Sequence, residues 1–299
     1  MRKRVPKHKP CIALTLASLL LPLTAVGEWL GDARPMMGTE VSAYVWHDEP
    51  GEARKALDAV FAEAERINQL MSTYISDSAI SEINRRAAQA PVAPGEELVR
   101  IIQRSLDVSV LTRGAFDITY DSVGQHYDFR RRMRPDQETV DQEKELIDYR
   151  FVEIDRVAST VRFRQEGVRI NLGGIAKGYV VERGVDILRR YGVSNGIVTA
   201  GGDSRLLGDR RGRPWIVGIR DPREEGTVAI SVPLEDEAVS TSGDYERYFD
   251  EEGVRYHHIL EPGSGAPAGK VRSATVFGPD GVITDALSTS VFVLGVDEG

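Results

Sequence analysis

From Thr39 to Trp46 (TEVSAYVW) apolar and polar positions alternate loosely, the period of a half-buried strand. The period then lengthens. Between Glu52 and Met71, the residues Ala56, Val60, Ala64, Ile67, Leu70 and Met71 recur at three- and four-residue spacing, which predicts a helix. Ser81–Arg86 predicts a short helix. Glu96–Thr112 (EELVRIIQRSLDVSVLT) predicts a second amphipathic one, closed by Gly114 in the C′ position. Residues 129–143 (FRRRMRPDQETVDQE) are polar and contain a proline, so they read as a surface excursion whose basic run Arg130–Arg134 is solvated.

From Val152 the texture changes. Short β-type runs occur at 160–164, 196–199, 214–219, 227–232, 254–260 and 273–277, separated by Gly, Pro and Asp. A helical pattern over 176–190 interrupts them. No fixed-period repeat stands out. The pattern predicts an α+β fold: a helical N-terminal part packed on a mainly antiparallel β-sheet core, with residue 150 as a candidate internal boundary.

The first residues are different again. Arg2, Lys3, Arg4, Lys7 and Lys9 precede the apolar stretch 11–26 (CIALTLASLLLPLTAV), and Ala25 and Gly27 frame a small-residue cleavage site. Residues 1–27 therefore read as a secretory signal, leaving 28–299 as one exported domain. The alternative is a retained membrane anchor, for which the stretch is short. The expected location is the periplasm, peripheral to the inner membrane at most. Cys11 is the chain's single cysteine and would leave with the signal, so the mature chain would carry no thiol chemistry. The formal net charge of -8 argues against a nucleic-acid partner and means that any anionic ligand needs local cations or a metal ion.

Four stretches carry candidate chemistry. Residues 171–178 (NLGGIAKG) place a Gly-Gly turn and Lys177 at a helix start, which reads either as a bare turn or as a phosphate cradle. Ala200-Gly201-Gly202-Asp203 is a tight turn after an apolar strand, or a set of backbone amides for a ligand. In Tyr256–Pro262 (YHHILEP), strand alternation sends His257 and His258 to opposite faces, one toward a site and one into packing. Asp285 and Thr289 stand four apart, so on a helix they share a face and can offer oxygen ligands suited to Mg²⁺; alternatively Asp285 caps the helix. The motifs of zinc hydrolases, redox dithiols, serine hydrolases and Rossmann dehydrogenases are missing. The surviving set fits Mg²⁺-assisted chemistry on a phosphate or pyrophosphate.

Taken in order, these segments resemble the ApbE family of FAD:protein FMN transferases. The resemblance rests on Met36–Thr39 (MMGT), residues 71–84 (MSTYISDSAISEIN), Gly114–Asp117 (GAFD), residues 171–179, Ala200–Asp203, residues 240–247 (STSGDYER), residues 257–262 (HHILEP) and Asp285–Thr289 (DALST). It implies an ApbE-like, T-fold-like α+β domain. It also implies that FAD, as substrate, binds with Mg²⁺, that a threonine hydroxyl of an acceptor protein attacks the FMN-side phosphorus, and that AMP leaves. The implied acceptors carry FMN-binding domains, as in sodium-pumping NADH:quinone reductase and Rnf-type complexes. The resemblance assigns the metal to Asp285, Thr289 and the Gly174 carbonyl. It assigns FAD to Met37, Tyr74, Ala115, Phe116, Asp117, Asn171, Lys177 and Ile259, with Tyr74 stacking on a ring and Asp117 bonding a ring edge. Lys177 and Asp285 also count as catalytic. His257 is the expected base, with His258 the other candidate and otherwise a flavin contact.

Three departures from the family pattern stand out. Asn171 replaces a frequent Asp, which drops a charge. Glu261 replaces the usual Asp before proline, which should shift a turn. The sequence ends at Gly299, where family members usually continue through strand-forming residues; the expectation is a short member or an incomplete sequence. Two other activities use the same residues: FAD hydrolysis to FMN and AMP, and FAD binding without turnover.

Overall fold

The computed structural model describes residues 27–299; nearly all of the expected signal segment lies outside them. The described chain opens with β1 (Glu28–Met36), β2 (Thr39–His47), α1 (Pro50–Met71), α2 (Ala79–Arg86) and α3 (Glu96–Leu111). Two short helices follow, α4 (Asp121–Gly124) and α5 (Gln137–Glu143), then the hairpin β3 (Val152–Asp155) and β4 (Thr160–Phe163) and the helix α6 (Ala176–Arg190). The remainder is β5 (Asn195–Ala200), β6 (Asp203–Leu207), β7 (Trp215–Arg220), β8 (Val228–Leu234), β9 (Ala238–Gly243), β10 (Tyr248–Glu251), β11 (Val254–His257), β12 (Leu260–Glu261), β13 (Ala266–Pro267), β14 (Ser273–Gly278) and α7 (Gly281–Glu298).

The main sheet is six-stranded, in the order β1-β2-β5-β6-β9-β14, and every neighbouring pair is antiparallel. The α+β class and the antiparallel sheet hold. Strands from either side of residue 150 lie in this one sheet. Helices α1, α6 and α7 cover one face, onto which Val41, Ala43, Val45, Val198 and Ala200 project. The β7–β8 hairpin covers part of the other face, where Trp215 joins Leu206, Val239, Trp29 and Tyr44.

Local sequence explains the elements. Pro50 starts α1, where its missing N–H costs nothing. Ala53, Ala56, Leu57, Val60, Phe61, Ala64, Ile67 and Met71 form its buried stripe. Each large side chain there stabilises the fold by about 1.5–3 kcal/mol relative to exposure. Ser78 caps α2 by accepting the Ser81 N–H at 3.1 Å.

Several expectations need correction. β1 has no readable alternation because Gly31 and Pro35 interrupt it; it forms at the sheet edge, where proline is tolerated. At the end of α3 the C′ residue is Arg113 (φ 54°), not Gly114. Gly114 follows it and donates its N–H to Ser109 O at 2.8 Å. The 129–143 excursion is partly anchored. Phe129 stacks on Tyr127, Arg132 donates to Asp250 O at 2.8 Å, and Arg134 pairs with Glu251 at 2.6 Å. The run 254–260 is two strands, broken at His258–Ile259. Asp285 does not cap its own helix: Asp280 does, accepting the N–H groups of Val282 and Ile283 at 2.9 and 3.2 Å. Residues 291–298 continue α7, with a break at Gly295 (φ 84°).

Candidate active site

One cavity of about 420 Å³ opens where α6, α7 and the ends of β2, β5 and β9 converge. Its walls include Met37, Tyr74, Ala115, Phe116 and Asp117 from the first half of the chain. From the second half they include Asn171, Gly174, Lys177, His258, Ile259, Asp285 and Thr289. The site residues that the resemblance assigns thus share one space, His257 excepted.

The charged centre is built at the crossing of α6 and α7. Lys177 is the second residue of α6, and Asp285 reaches it from α7 at 3.2 Å. Asp203, fully buried at the start of β6, bonds the same ammonium from the other side. Burial pulls the Lys177 pKa down, but the two carboxylates outweigh it and hold the group above its ordinary value. Asp203 is pushed up by burial and by the charge of Asp285, against the pull of Lys177. Asp285 also accepts the Gly178 N–H at 2.9 Å, so one backbone donor at the start of α6 is taken by this carboxylate.

Close backbone approach makes this possible. A Cβ on Gly178 would run into the carbonyl oxygen of Gly281 and lie 2.7 Å from the Cβ of Asp285. Only glycine fits at that point of the crossing.

The donor set suits a hard cation that takes few protein ligands. Among the described residues no group of three or more His, Cys, Asp or Glu could hold a metal ion, so a cage of charged ligands is not present. The neutral oxygens are, however, in place. A Cβ built on Gly174 would sit 3.5 Å from the Thr289 hydroxyl, so that backbone and that hydroxyl adjoin. Asp203 Oδ1 is buried with no hydrogen-bond partner among the described residues. Asp285, Thr289 and the Gly174 carbonyl are the oxygens that would hold Mg²⁺, an ion that takes few protein ligands and completes its shell with water and phosphate.

The two histidines have different surroundings. His257 is buried (4 % exposed). Its Nε2 lies 2.7 Å from Ala268 O, its Nδ1 accepts the Ile259 N–H at 3.3 Å, and its ring packs edge-on against Phe292. Both nitrogens are engaged by backbone, and the ring does not line the cavity. His258 lines it. Its Nδ1 is buried without a partner among the described residues. Burial, then the charges of Arg247 and Lys177, push its pKa down to about 3, so the ring is neutral at pH 7. Alternation predicted the opposite faces correctly. The sequence reading favoured His257, the ring that does not line the cavity, and the strand ends between the two.

Other residues have roles the motifs did not show. Asp117 spends both oxygens on the chain: Oδ1 takes Thr119 N–H and hydroxyl at 2.8 and 2.6 Å, and Oδ2 takes Tyr149 N–H at 2.8 Å. It shapes the wall, and Oδ2, with one bond, keeps acceptor capacity at the cavity. Tyr74 stands 82 % exposed at the mouth, open to stacking. Asn171 accepts the Gly173 N–H at 2.8 Å and donates Nδ2 to Asp121 at 3.0 Å and to Thr73 at 3.2 Å. Its amide nitrogen meets a carboxylate, which explains Asn in place of Asp here. Glu261 accepts the Ser264 hydroxyl at 3.0 Å within its turn. Asp121 had no signal beyond its place near a quoted segment, and Arg247 was visible only as the last residue of the 240–247 segment. Asp203 was visible only as the end of a Gly-Gly turn.

A cavity with aromatic walls, a half-buried lysine and clustered oxygens has the make-up of a small-molecule binding site. The sequence pattern of the ApbE family matches residues 37–299, and the chain belongs to that family. It is 32 % identical to an FAD:protein FMN transferase of Treponema pallidum, over 96 % of this chain and 87 % of that one. It is 29 % identical to an FAD:protein FMN transferase of Vibrio cholerae, over 96 % and 88 %. Among solved structures it resembles the ApbE protein of Thermotoga maritima, with TM-score 0.84, 34 % identity and coverage of 90 % and 88 %. The Vibrio cholerae flavin transferase ApbE gives TM-score 0.81 at 28 % identity, with coverage of 91 % and 89 %.

Proposed function

We propose that the chain is an FAD:protein FMN transferase: it moves the FMN half of FAD to a threonine hydroxyl of an acceptor protein and releases AMP. Relatives of that activity along nearly the whole chain support the reading. The observation that carries it is the meeting of Lys177, Asp285, Thr289 and His258 in one cavity of ligand size.

The chemistry follows from charge. The diphosphate repels an oxygen nucleophile until its charge is neutralised. Mg²⁺, when bound, supplies that neutralisation; Asp285, Thr289 and the Gly174 carbonyl are the residues that would hold it. Lys177 pairs with Asp203 and Asp285 and fixes both carboxyl groups in place. The threonine oxygen forms a bond to the FMN-side phosphorus, the P–O bond to AMP breaks, and the hydroxyl proton passes to His258. His258 is neutral in the free cavity. An arriving diphosphate raises its basicity by adding negative charge nearby. His257 has no free nitrogen for this task and serves packing. Exported or membrane-bound redox proteins with FMN-binding domains are the acceptors, met in the periplasm. Among the described residues no helix is long and apolar enough to cross a membrane.

The test is AMP release from FAD and Mg²⁺, with and without an FMN-binding-domain acceptor, read beside covalent flavin fluorescence in a denaturing gel. AMP together with a fluorescent acceptor is expected. AMP without labelling would move the reading to hydrolysis, and bound FAD without AMP to a carrier. His258→Ala should lower kcat about 100-fold or more while FAD binding persists. His257→Ala should cost stability first. Full transfer by His258→Ala would remove the base assignment.

A further inference from the structure

Three cations line the cavity, Arg169, Lys177 and Arg247, and two are already neutralised. Lys177 sits against the carboxyl groups of both Asp203 and Asp285. Arg169 donates Nε to Asp121 Oδ2 at 3.2 Å. Arg247 has no carboxylate within ion-pair distance among the described residues. Its neighbour Glu246 pairs elsewhere, with Arg220 at 3.5 Å. The one hydrogen bond Arg247 makes through its side chain there is a long one, Nη2 to Met37 O at 3.4 Å. A guanidinium has five N–H donors, so most of this one is unspent.

Its seat is built for it. Met37 and Gly38 both have left-handed φ (55° and 70°), the two-residue turn joining β1 to β2. A Cβ on Gly38 would lie 3.0 Å from Arg247 Nη2, so glycine makes room for the guanidinium. The backbone N–H of His258 donates to Arg247 O at 3.1 Å, which ties the arginine to the proposed base.

We propose that Arg247 is the residue of this chain that grips the diphosphate of FAD, through its free guanidinium donors, and so sets the preference for FAD over flavins without phosphate. The proposal rests on the reading of FAD as the substrate. Lys177, enclosed by two carboxylates, cannot by itself attract an anion into the cavity. Arg247 can, and a planar fork of donors matches phosphate oxygens two at a time.

The experiment compares FAD and riboflavin binding to the full chain and to Arg247→Met and Arg247→Lys, by flavin fluorescence titration. Arg247→Met should raise the FAD Kd about 10-fold or more and move the riboflavin Kd by less than about 2-fold. Arg247→Lys should fall between, because it keeps the charge and loses the fork. The salt dependence of FAD binding should flatten in Arg247→Met. Unchanged FAD binding would overturn the proposal. So would equal losses for both ligands, which would mark Arg247 as a prop for the Met37 turn. Thermal melting guards against misfolding, and Arg247→Lys gives the decision if the Met variant does not fold. Absence of FAD binding by the unaltered chain would overturn this proposal and the transferase reading together. FAD binding without FMN transfer would overturn the transferase reading alone and leave the Arg247 contrast standing.

Discussion

Gly178→Ala should destabilise the protein, although the same change in an open helix stabilises it. In an exposed helix interior, alanine is favoured over glycine by about 1 kcal/mol. At Gly178 the added methyl group meets the Gly281 carbonyl oxygen, with the Gly281 carbonyl carbon at 2.8 Å and Asp285 Cβ at 2.7 Å. None of these is the tip of a flexible side chain, so rotation cannot relieve the contact. The converse contact is also close: a Cβ on Gly281 would lie 3.1 Å from Gly178 O. Relief requires α6 and α7 to part, and both are packed against the sheet. Overpacking of this kind costs about 1–3 kcal/mol, and a backbone obstacle takes the upper end. Offset by the propensity gain, the net loss is about 2 kcal/mol. Parting the helices also lengthens the Gly178 N–H bond to Asp285 and the Asp285–Lys177 contact, so turnover should fall further than stability. Urea unfolding followed by Trp29, Trp46 and Trp215 fluorescence measures the first effect, and AMP release measures the second. Gly51→Ala is the control: it lies in the first turn of α1 with nothing within 4 Å of the new Cβ, and it should be neutral or mildly stabilising. A Gly178→Ala protein as stable as the parent would refute the reasoning.

Lys177→Met should cost about 3–5 kcal/mol, because Asp203 and Asp285 are left buried without their counter-ion. Adding Asp203→Asn should restore part of the stability and none of the transfer; a single variant within 1 kcal/mol of the parent in urea unfolding, on the scale of about 0–1 kcal/mol for a surface pair, would mean the cluster is solvated. Asn171→Asp places a second carboxylate where Nδ2 now donates to Asp121 at 3.0 Å, and two such groups cannot both ionise. The pair's folded pKa then rises above the unfolded value of about 3.9, so the penalty is absent below about pH 4 and grows as pH rises through the folded pKa. Unfolding at pH 7 should show a loss of about 1–3 kcal/mol that shrinks toward pH 4; a pH-independent loss would point to a steric cause instead.

Periodicity made α1 and α6 legible, because each buries one stripe against the sheet and the spacing of that stripe is local information. The β runs of the second half were legible for the same reason. β1 was not, since Pro35 and Gly31 are tolerated at an edge that only the assembled sheet defines. The spacing of Asp285 and Thr289 correctly put both on one helix beside the cavity. Alternation separated His257 from His258 but could not say which face was inside, because that depends on where β11 stops and what Ala268 does opposite it. Asp203 and Arg247 were hidden for a different reason. Their importance lies in which charges they do or do not meet, and those partners are distant in sequence.

The charge pattern and the helix crossing are one device. Gly178 and Gly281 let α6 and α7 touch backbone to backbone, and that contact carries Asp285 to the start of α6. There it accepts a backbone N–H and meets Lys177, which the β5–β6 turn meets from the other side through Asp203. A wider crossing would leave Lys177 free and would open its place to phosphate directly. The narrow one instead fixes two carboxyl groups around the lysine, which is an arrangement for a cation and not for a bare anion. Attraction of the anion must then come from elsewhere in the cavity. Among the described residues the unpaired guanidinium of Arg247, seated on a glycine turn beside His258, is where that attraction can arise.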